Sequence, residues 1–176
     1  MLKCCAIANL ADVPLFISQF KSPIGVLNLI ADEQILLGLN LSSVKALKDS
    51  VDEIDYAKGF KEVSKISVVS DLLSDYFAGD INALNGISVR QPGAQFSQAA
   101  WKAMRKVKAG KTISYADLAD RSGSKAAVRA AGSACAKNAI ALVVPCHRIV
   151  KTGGSLGNYA YGLNKKEWLL RHEGAL

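Results

Sequence analysis

The run Val143-Val144-Pro145-Cys146-His147-Arg148-Ile149-Val150 holds the most reactive combination of side chains in the chain. Pro145 disfavours helix at Val144, so the backbone turns as it leaves the apolar run Ile140–Val144, read here as a buried strand. Cys146 then stands at the end of that strand, on a rigid support of the kind that carries reactive groups. A histidine beside it and an arginine one residue further offer stabilisation to a thiolate. Such surroundings bring a cysteine from about 8.5 down to roughly 3.5–7.5. A Cys-His pair alone does not separate a nucleophile from an inert buried thiol, so the rest of the chain must decide.

Metal chemistry has little to work with. There are two histidines, His147 and His172, and four cysteines, Cys4, Cys5, Cys135 and Cys146, without a C-x-x-C or H-x-x-x-H pair. Neither metal nor cofactor is expected. Neighbouring Cys4 and Cys5 suit no disulfide framework, and reduced thiols in an intracellular protein are the expected state. Cys135 reads as a small core filler. The start Met1-Leu2-Lys3-Cys4-Cys5-Ala6 has no signal-peptide pattern, and no apolar run approaches the roughly 18–20 residues of a bilayer span.

With 176 residues, half of them hydrophobic, the chain is long enough for a proper core, and disorder is excluded. Charge is divided unevenly. Residues 1–95 carry 8 Lys/Arg against 11 Asp/Glu, and residues 96–176 carry 14 against 4. A basic second half points to a polyanion, and nucleic acid fits best.

The elements that must position Cys146 follow from periodicity. Leu15–Phe20, Ile24–Ile30 and Ile35–Leu39 are short β-favouring runs with hairpin-length connections, which predicts a three-strand antiparallel meander. A helix is expected over Asp71–Ala78, with Ser70 as N-cap and Gly79 as stop. Gly86–Gly93 reads as the linker between an N-terminal domain, 1–88, and a C-terminal domain, 89–176. Beyond it lie helices at Ser97–Val107, burying Trp101 and Met104, and at Tyr115–Arg121. The turn Ser122-Gly123-Ser124 leads to a helix over Lys125–Lys137, which makes a helix-turn-helix. On that last helix Lys125, Arg129, Ser133 and Lys137 form a polar stripe. Val128, Ala131, Gly132 and Cys135 should pack inward, and small side chains such as Ala127 allow close approach to a partner surface. A glycine-rich loop, Gly153–Gly162, precedes a final helix over Lys165–Glu173, ended by Gly174. Glu173 is misplaced there for a helix dipole, whereas His172 suits the position and reads as surface.

Pro145-Cys146-His147-Arg148-Ile149 resembles the active-site signature of the O6-alkylguanine-DNA alkyltransferases, the methylated-DNA–protein-cysteine methyltransferases. Thr112-Ile113-Ser114-Tyr115-Ala116-Asp117-Leu118-Ala119 is similar to the family's approach to its helix-turn-helix, and Asn138 stands eight residues before Cys146, as in the family. Gly157-Asn158-Tyr159, Trp168-Leu169-Leu170-Arg171-His172-Glu173-Gly174 and Asp75-Tyr76-Phe77-Ala78-Gly79 also look like family elements. The resemblance spans the second half and reaches weakly into the first.

The resemblance implies an α/β (α+β) fold: a ribonuclease-H-like antiparallel sheet with a helix, then a helical domain with a winged-helix-like helix-turn-helix. It implies direct, single-turnover repair of duplex DNA by a monomer, Cys146 taking the alkyl group from O6-alkylguanine and, to an unspecified extent, from O4-alkylthymine. The compartment would be a nucleus or a prokaryotic cytoplasm, with no membrane role. His147 would relay the thiol proton through a water to Glu173, and Asn138 would tie its turn to the catalytic loop. Tyr115 would donate to guanine N3, and Arg129 would fill the gap left by the flipped base. Lys125, Ala127 and Ser133 would face DNA. Val144, Pro145, Ile149, Asn158, Tyr159, Ala160 and Tyr161 would line the base pocket, the backbone N–H groups of Tyr159 and Ala160 meeting O6.

Two departures stand out. Ala139 occupies a position where the family often has proline, so that turn should be less rigid. Tyr161 replaces a small residue, so bulky groups such as benzyl should be tolerated less well than methyl. A lesion-binding module without transfer chemistry and a thiol hydrolase are the competing readings.

Overall fold

The computed structural model describes residues 13–176; Cys4, Cys5 and the opening segment lie outside the described residues. Strands β1 (Leu15–Ser22), β2 (Gly25–Ala31) and β3 (Leu36–Asn40) form the expected meander. Gly25, at φ +119°, closes the first hairpin, where Ser22 pairs with Gly25. At the next turn Asp32 accepts bonds from the backbone of Gln34 and Ile35.

The sheet has a fourth strand that the sequence reading lacks. β4 (Phe60–Glu62) runs parallel to β1, so the order is β3-β2-β1-β4 and the sheet is mixed rather than purely antiparallel. Three residues are too few to show alternation. The crossover carries two one-turn helices, α1 (Val44–Lys48) and α2 (Glu53–Ala57), capped by the side chains of Ser43 and Asp52. Helices this short draw their stability from packing, not propensity.

Helix α3 (Ser67–Ala78) begins a turn earlier than expected. Ser70 is buried inside it, and Ile66 stands at the cap without a side-chain bond. Its end at Gly79, in the left-handed region, agrees with the reading. Helix α4 (Gln95–Arg105) buries Trp101 and Met104. The short β5 (Ile113–Ser114) leads into α5 (Tyr115–Arg121), closed by a reciprocal Ser114–Asp117 capping box.

After the turn, α6 (Val128–Ala136) is shorter than the predicted 125–137, so Lys125 and Ala127 precede its first turn. Ala131 and Ala134 are its fully buried residues. Val128, 40% exposed, and half-buried Gly132 and Cys135 are turned elsewhere. The Trp101 indole N–H donates to the carbonyl of Ala134, which fixes the roll of α6 on α4.

The run Ile140–Val144 is buried but is not a strand. Ile140 makes one bridge to Leu39, and the chain then coils, with Leu142 at φ +65°. Cys146–Arg148 form a 3₁₀ turn, followed by β6 (Ile149–Val150) beside β5. An apolar run reports burial; its conformation is decided by what it packs against. Helix α7 (Leu163–His172) ends with Glu173 as C-cap and Gly174 left-handed beyond it.

One hydrophobic cluster joins both halves of the chain, including Leu27, Leu39 and Tyr76 from the first and Trp101, Leu118, Ile149 and Leu169 from the second. A smaller cluster, Leu15, Ile17, Ile30, Leu37 and Leu47, fills the other face of the sheet. The second half also covers the edge of β3. Leu36 pairs with Ser88 and Arg90, and Leu39 with Ala139 and Ala141, through four backbone hydrogen bonds. No helix among the described residues is long and apolar enough to cross a membrane.

Candidate active site

The helix pair α5–α6 and the loop before α7 enclose a cleft of about 690 Å³. One wall is the face of α6 with Val128, Arg129, Gly132, Ser133, Cys135 and Ala136; the other is Lys151, Asn158, Tyr159 and Ala160. Tyr115 contributes from the first turn of α5, and Cys146 lies at the floor, 7% exposed. A second cleft, about 380 Å³ beside the β2–β3 turn, has Asp32, Glu33 and Lys65 in its lining but no cysteine or histidine.

Behind Cys146 the polar groups are fully enclosed. Glu173 Oε1 accepts from His147 Nε2 at 3.0 Å, from Arg148 at 2.8 Å and from the Tyr76 hydroxyl at 2.8 Å; Oε2 accepts from Arg148 Nε at 2.8 Å. Burial alone would raise the Glu173 carboxyl. The bonds from His147 and Arg148 outweigh it and hold the group well below the usual carboxylate range. Glu173 is therefore an anion at neutral pH. Burial lowers His147 and outweighs the opposing pull of Glu173, so the imidazole rests neutral. An ionised acceptor at Nε2 places the ring proton there and leaves Nδ1 as the basic nitrogen. Nδ1 has no bonding partner among the described residues.

This geometry corrects the expected relay. His147 and Glu173 touch directly, so no water stands between them. The thiol also departs from expectation: burial pushes Cys146 up, not down. A hydrogen bond from Asn138 Nδ2 to Sγ at 3.4 Å and the nearby Lys166 ammonium oppose that rise without overcoming it. Arg148 gives no help, since it is bound to Glu173 and to the carbonyl of Val107. The resting group is a thiol rather than a preformed thiolate.

Asn138, 8% exposed, also donates to Val144 O at 2.8 Å and accepts from the backbone N–H of Ile140 at 3.1 Å. Tyr115 is half-buried and lines the cleft, its hydroxyl donating to Asn158 O at 3.5 Å; burial, then the neighbouring thiols, push it up to about 12, so it stays protonated. Arg129 is exposed in the first turn of α6, and Ser133 stands one turn on, its hydroxyl donating to the Arg129 carbonyl. Lys125 and Ala127 lie before the helix and outside the cleft lining.

Four expected pocket residues fall elsewhere. Val144, Pro145 and Ile149 are buried beneath the floor, because a 3₁₀ turn replaces the strand end and directs its flanks into the core. Tyr161 does not face the cleft; its ring meets Tyr159 edge-on at 5.4 Å and backs that wall. Asn158, Tyr159 and Ala160 do line it. His172, read as surface, is half-buried, stacked on Trp168 at 4.9 Å and donating to Tyr76 O at 2.7 Å.

The sequence reading missed three participants. Lys166 is fully buried, its ammonium held by the carbonyls of Ile149, Leu156 and Asn158, so it fastens α7 to both the catalytic turn and the loop. Adjacent Lys165 makes the pair read as an ordinary charged patch. Tyr76 reaches Glu173 from α3, and the Asp75–Gly79 motif was its only signal. Cys135 lines the cleft instead of filling the core. Among the described residues no group of three His, Cys, Asp or Glu side chains is placed to hold a metal ion.

Fold and site together define a class: a helix-turn-helix protein with a thiol, an imidazole and a carboxylate clustered under its second helix. Comparison with known proteins agrees. The DNA-binding domain of 6-O-methylguanine DNA methyltransferase matches residues 95–175. The methylated-DNA–protein-cysteine methyltransferase of Salmonella typhimurium is 36% identical over 162 residues, covering 90% of this chain and 95% of its own. That of Methanosarcina acetivorans is 33% identical, covering 92% and 99%. The solved Mycobacterium tuberculosis O6-methylguanine methyltransferase superposes with a TM-score of 0.72 at 31% identity, over 92% of this chain and 93% of that one. The same enzyme in complex with DNA gives 0.74 at 30% identity, over 91% and 93%. The chain belongs to the methylated-DNA–protein-cysteine methyltransferase family of DNA-repair enzymes.

Proposed function

We propose that this protein repairs O6-alkylguanine in duplex DNA by one irreversible transfer of the alkyl group to Cys146. The observation that carries this reading is the position of that sulfur, at the floor of a base-sized cleft under a helix-turn-helix, in the same 3₁₀ turn as a neutral imidazole anchored to an anion. The slightly acidic first half turns the basic second half towards DNA. Phosphates meet Lys125, and Ala127 just before α6 with Ser133 on its exposed face permit close approach. Arg129 enters the stack as the lesion leaves it, and the extruded base rests between α6 and the Tyr159–Ala160 backbone.

The transfer is a displacement at the alkyl carbon. Sγ forms the new S–C bond while the O6–C bond breaks and its electron pair returns to the guanine ring. The thiol proton goes to His147 Nδ1, where Glu173 stabilises the imidazolium. Tyr115 donates a proton to guanine N3 as negative charge gathers on the departing base. Solvent then takes the proton from His147 and returns one to Tyr115, so the net change is the thiol proton ending on guanine. Asn138 holds the sulfur by its amide, and Lys166 adds positive charge nearby. The product thioether cannot return its alkyl group, so each molecule acts once. The protein works as a monomer inside the cell, in a nucleus or a prokaryotic cytoplasm. The boundary between sheet and DNA-facing parts falls at residues 88–89.

Intact mass after incubation with O6-methylguanine duplex tests the reading. A gain of one methylene per molecule, with no turnover, supports it. Binding without a gain marks a lesion-recognition module, and many turnovers of unmodified protein mark a hydrolase; either outcome overturns it.

Two substitutions probe the cleft. Arg129→Ala is expected to slow repair in duplex DNA by about tenfold or more, because extrusion costs a few kcal/mol, and to leave reaction with free O6-methylguanine nearly unchanged. Equal losses on both substrates would remove the finger role. Tyr161→Gly releases the support behind Tyr159 and widens the wall, so O6-benzylguanine should react faster relative to O6-methylguanine. A constant ratio between the two substrates would show that this wall does not select.

A further inference from the structure

Asn138 is held largely by its own turn. Ile140 N, Val144 O and Cys146 Sγ all lie within eight residues of it and would shift with it. Among the described residues, one side chain from outside that turn bonds to it. Gln91 Nε2 donates to Asn138 Oδ1 at 3.1 Å, while Gln91 Oε1 accepts the backbone N–H of Ala139 at 2.8 Å. Gln91 is 6% exposed and is itself pinned, its carbonyl accepting from Gln98 Nε2 at 2.7 Å. The amide thus grips two consecutive residues from the segment before α4.

The Ala139 N–H is what makes the second bond available, since a proline there would have none. In this chain the turn is stiffened from outside by a two-point bracket instead of from within by a ring. The orientation of every amide is set by its partners: Ala139 N requires the oxygen of Gln91, which turns Nε2 onto Asn138 Oδ1, which aims Asn138 Nδ2 at the sulfur.

We propose that Gln91 is a positioning residue for the transfer reaction, holding Asn138 Nδ2 on Cys146 Sγ and on the carbonyl of Val144. The proposal rests on the reading that Cys146 is the acceptor. Two predictions follow for the sulfur. With Gln91 gone, Asn138 loses its external anchor, the amide spends less time on Sγ, and the thiol gives up its proton less readily. The other groups around Sγ, namely Lys166, His147, Cys135, Tyr115, Tyr159 and Tyr161, remain in place.

The test compares full-length wild type, Gln91→Leu and Gln91→Glu. Leucine removes both bonds. Glutamate keeps the size and the acceptor for Ala139 but, ionised, has no proton for Asn138. Three readings are taken: the single-turnover rate on O6-methylguanine duplex, the affinity for that duplex, and the pH profile of Cys146 alkylation by iodoacetamide followed on the Cys146 peptide. Both variants are expected to transfer about tenfold more slowly, the scale of one hydrogen bond in the transition state. Duplex affinity should hold, and the alkylation profile should move to higher pH. A folded Gln91→Glu protein that transfers at the wild-type rate with an unmoved profile overturns the assignment. So does a loss of affinity equal to the loss of rate, which marks a merely structural residue. Wild type that gains no methylene defeats the transfer reading instead, so the two failures are distinct.

Discussion

Cys146→Ala protein mixed with O6-methylguanine duplex is expected to bind the DNA and gain no mass, while wild type gains one methylene. The sharper part of this prediction concerns Cys135. It lines the same cleft, so simple proximity would let it take over as acceptor. Its chemistry forbids that. Burial, the larger cause that holds its thiol up, persists when Cys146 is replaced. It also lacks the Asn138 bond that Cys146 receives and belongs to α6 rather than to the turn that carries His147. No label should be detected on Cys135 in the variant over the wild-type reaction time, given the thiolate requirement. DNA affinity should persist because Arg129 and the basic approach to α6 are untouched. The fold should persist too, since Asn138 Nδ2 keeps its bond to Val144 O. A methylene found on Cys135 in the variant would show that the cleft, not the Cys146–His147–Glu173 line, confers reactivity.

Glu173→Gln should damage both chemistry and stability. The carboxylate accepts four hydrogen bonds from three buried side chains, and one of those is the Arg148 guanidinium. A neutral amide leaves that cation without its counter-ion, a change that costs about 3–5 kcal/mol in buried pairs. It also removes the charge that stabilises protonated His147, so transfer should fall by about a hundredfold or more. The pH dependence of wild-type stability has a definite sign. Glu173 titrates lower in the folded state than in the unfolded chain, so its contribution is full above about 4.3 and is lost as pH falls through the folded value. His147 is also lowered on folding, and its burial as a neutral ring costs stability as pH drops below about 6.5. Denaturant midpoints should therefore decline on acidification from near neutrality, with a steeper fall at the acid end in wild type than in Glu173→Gln. Parallel curves for the two proteins would show that Glu173 is not ionised against Arg148.

What the sequence revealed depended on how local each signal was. Helix α5 was legible to the residue because Ser114 and Asp117 cap it within four positions. The three meander strands and the left-handed stop at Gly79 came from equally short-range rules. Strand β4 and helices α1 and α2 did not, since elements of three to five residues owe their existence to the sheet they lie against. The run Ile140–Val144 shows the same limit inside the site. Its burial was written in its composition, but its coiled path is imposed by the bridge from Ile140 to Leu39 and by the bracket on Ala139. Electrostatics was the least legible property. Sequence neighbours suggested that Arg148 would acidify Cys146, whereas the folded chain spends that arginine on a residue 25 positions away. Lys166, which does act on the sulfur, had no distinguishing neighbour at all.

The stitching of β3 to residues 88–90 and 139–141 has a mechanical consequence. Four main-chain bonds and a shared core fasten the helix pair to the sheet, so no hinge lies between the reading head and its frame. On the transfer proposed above, the distortion needed to seat a purine falls to the double helix itself, so soft, poorly stacked sequence around a lesion should be repaired faster than stiff sequence.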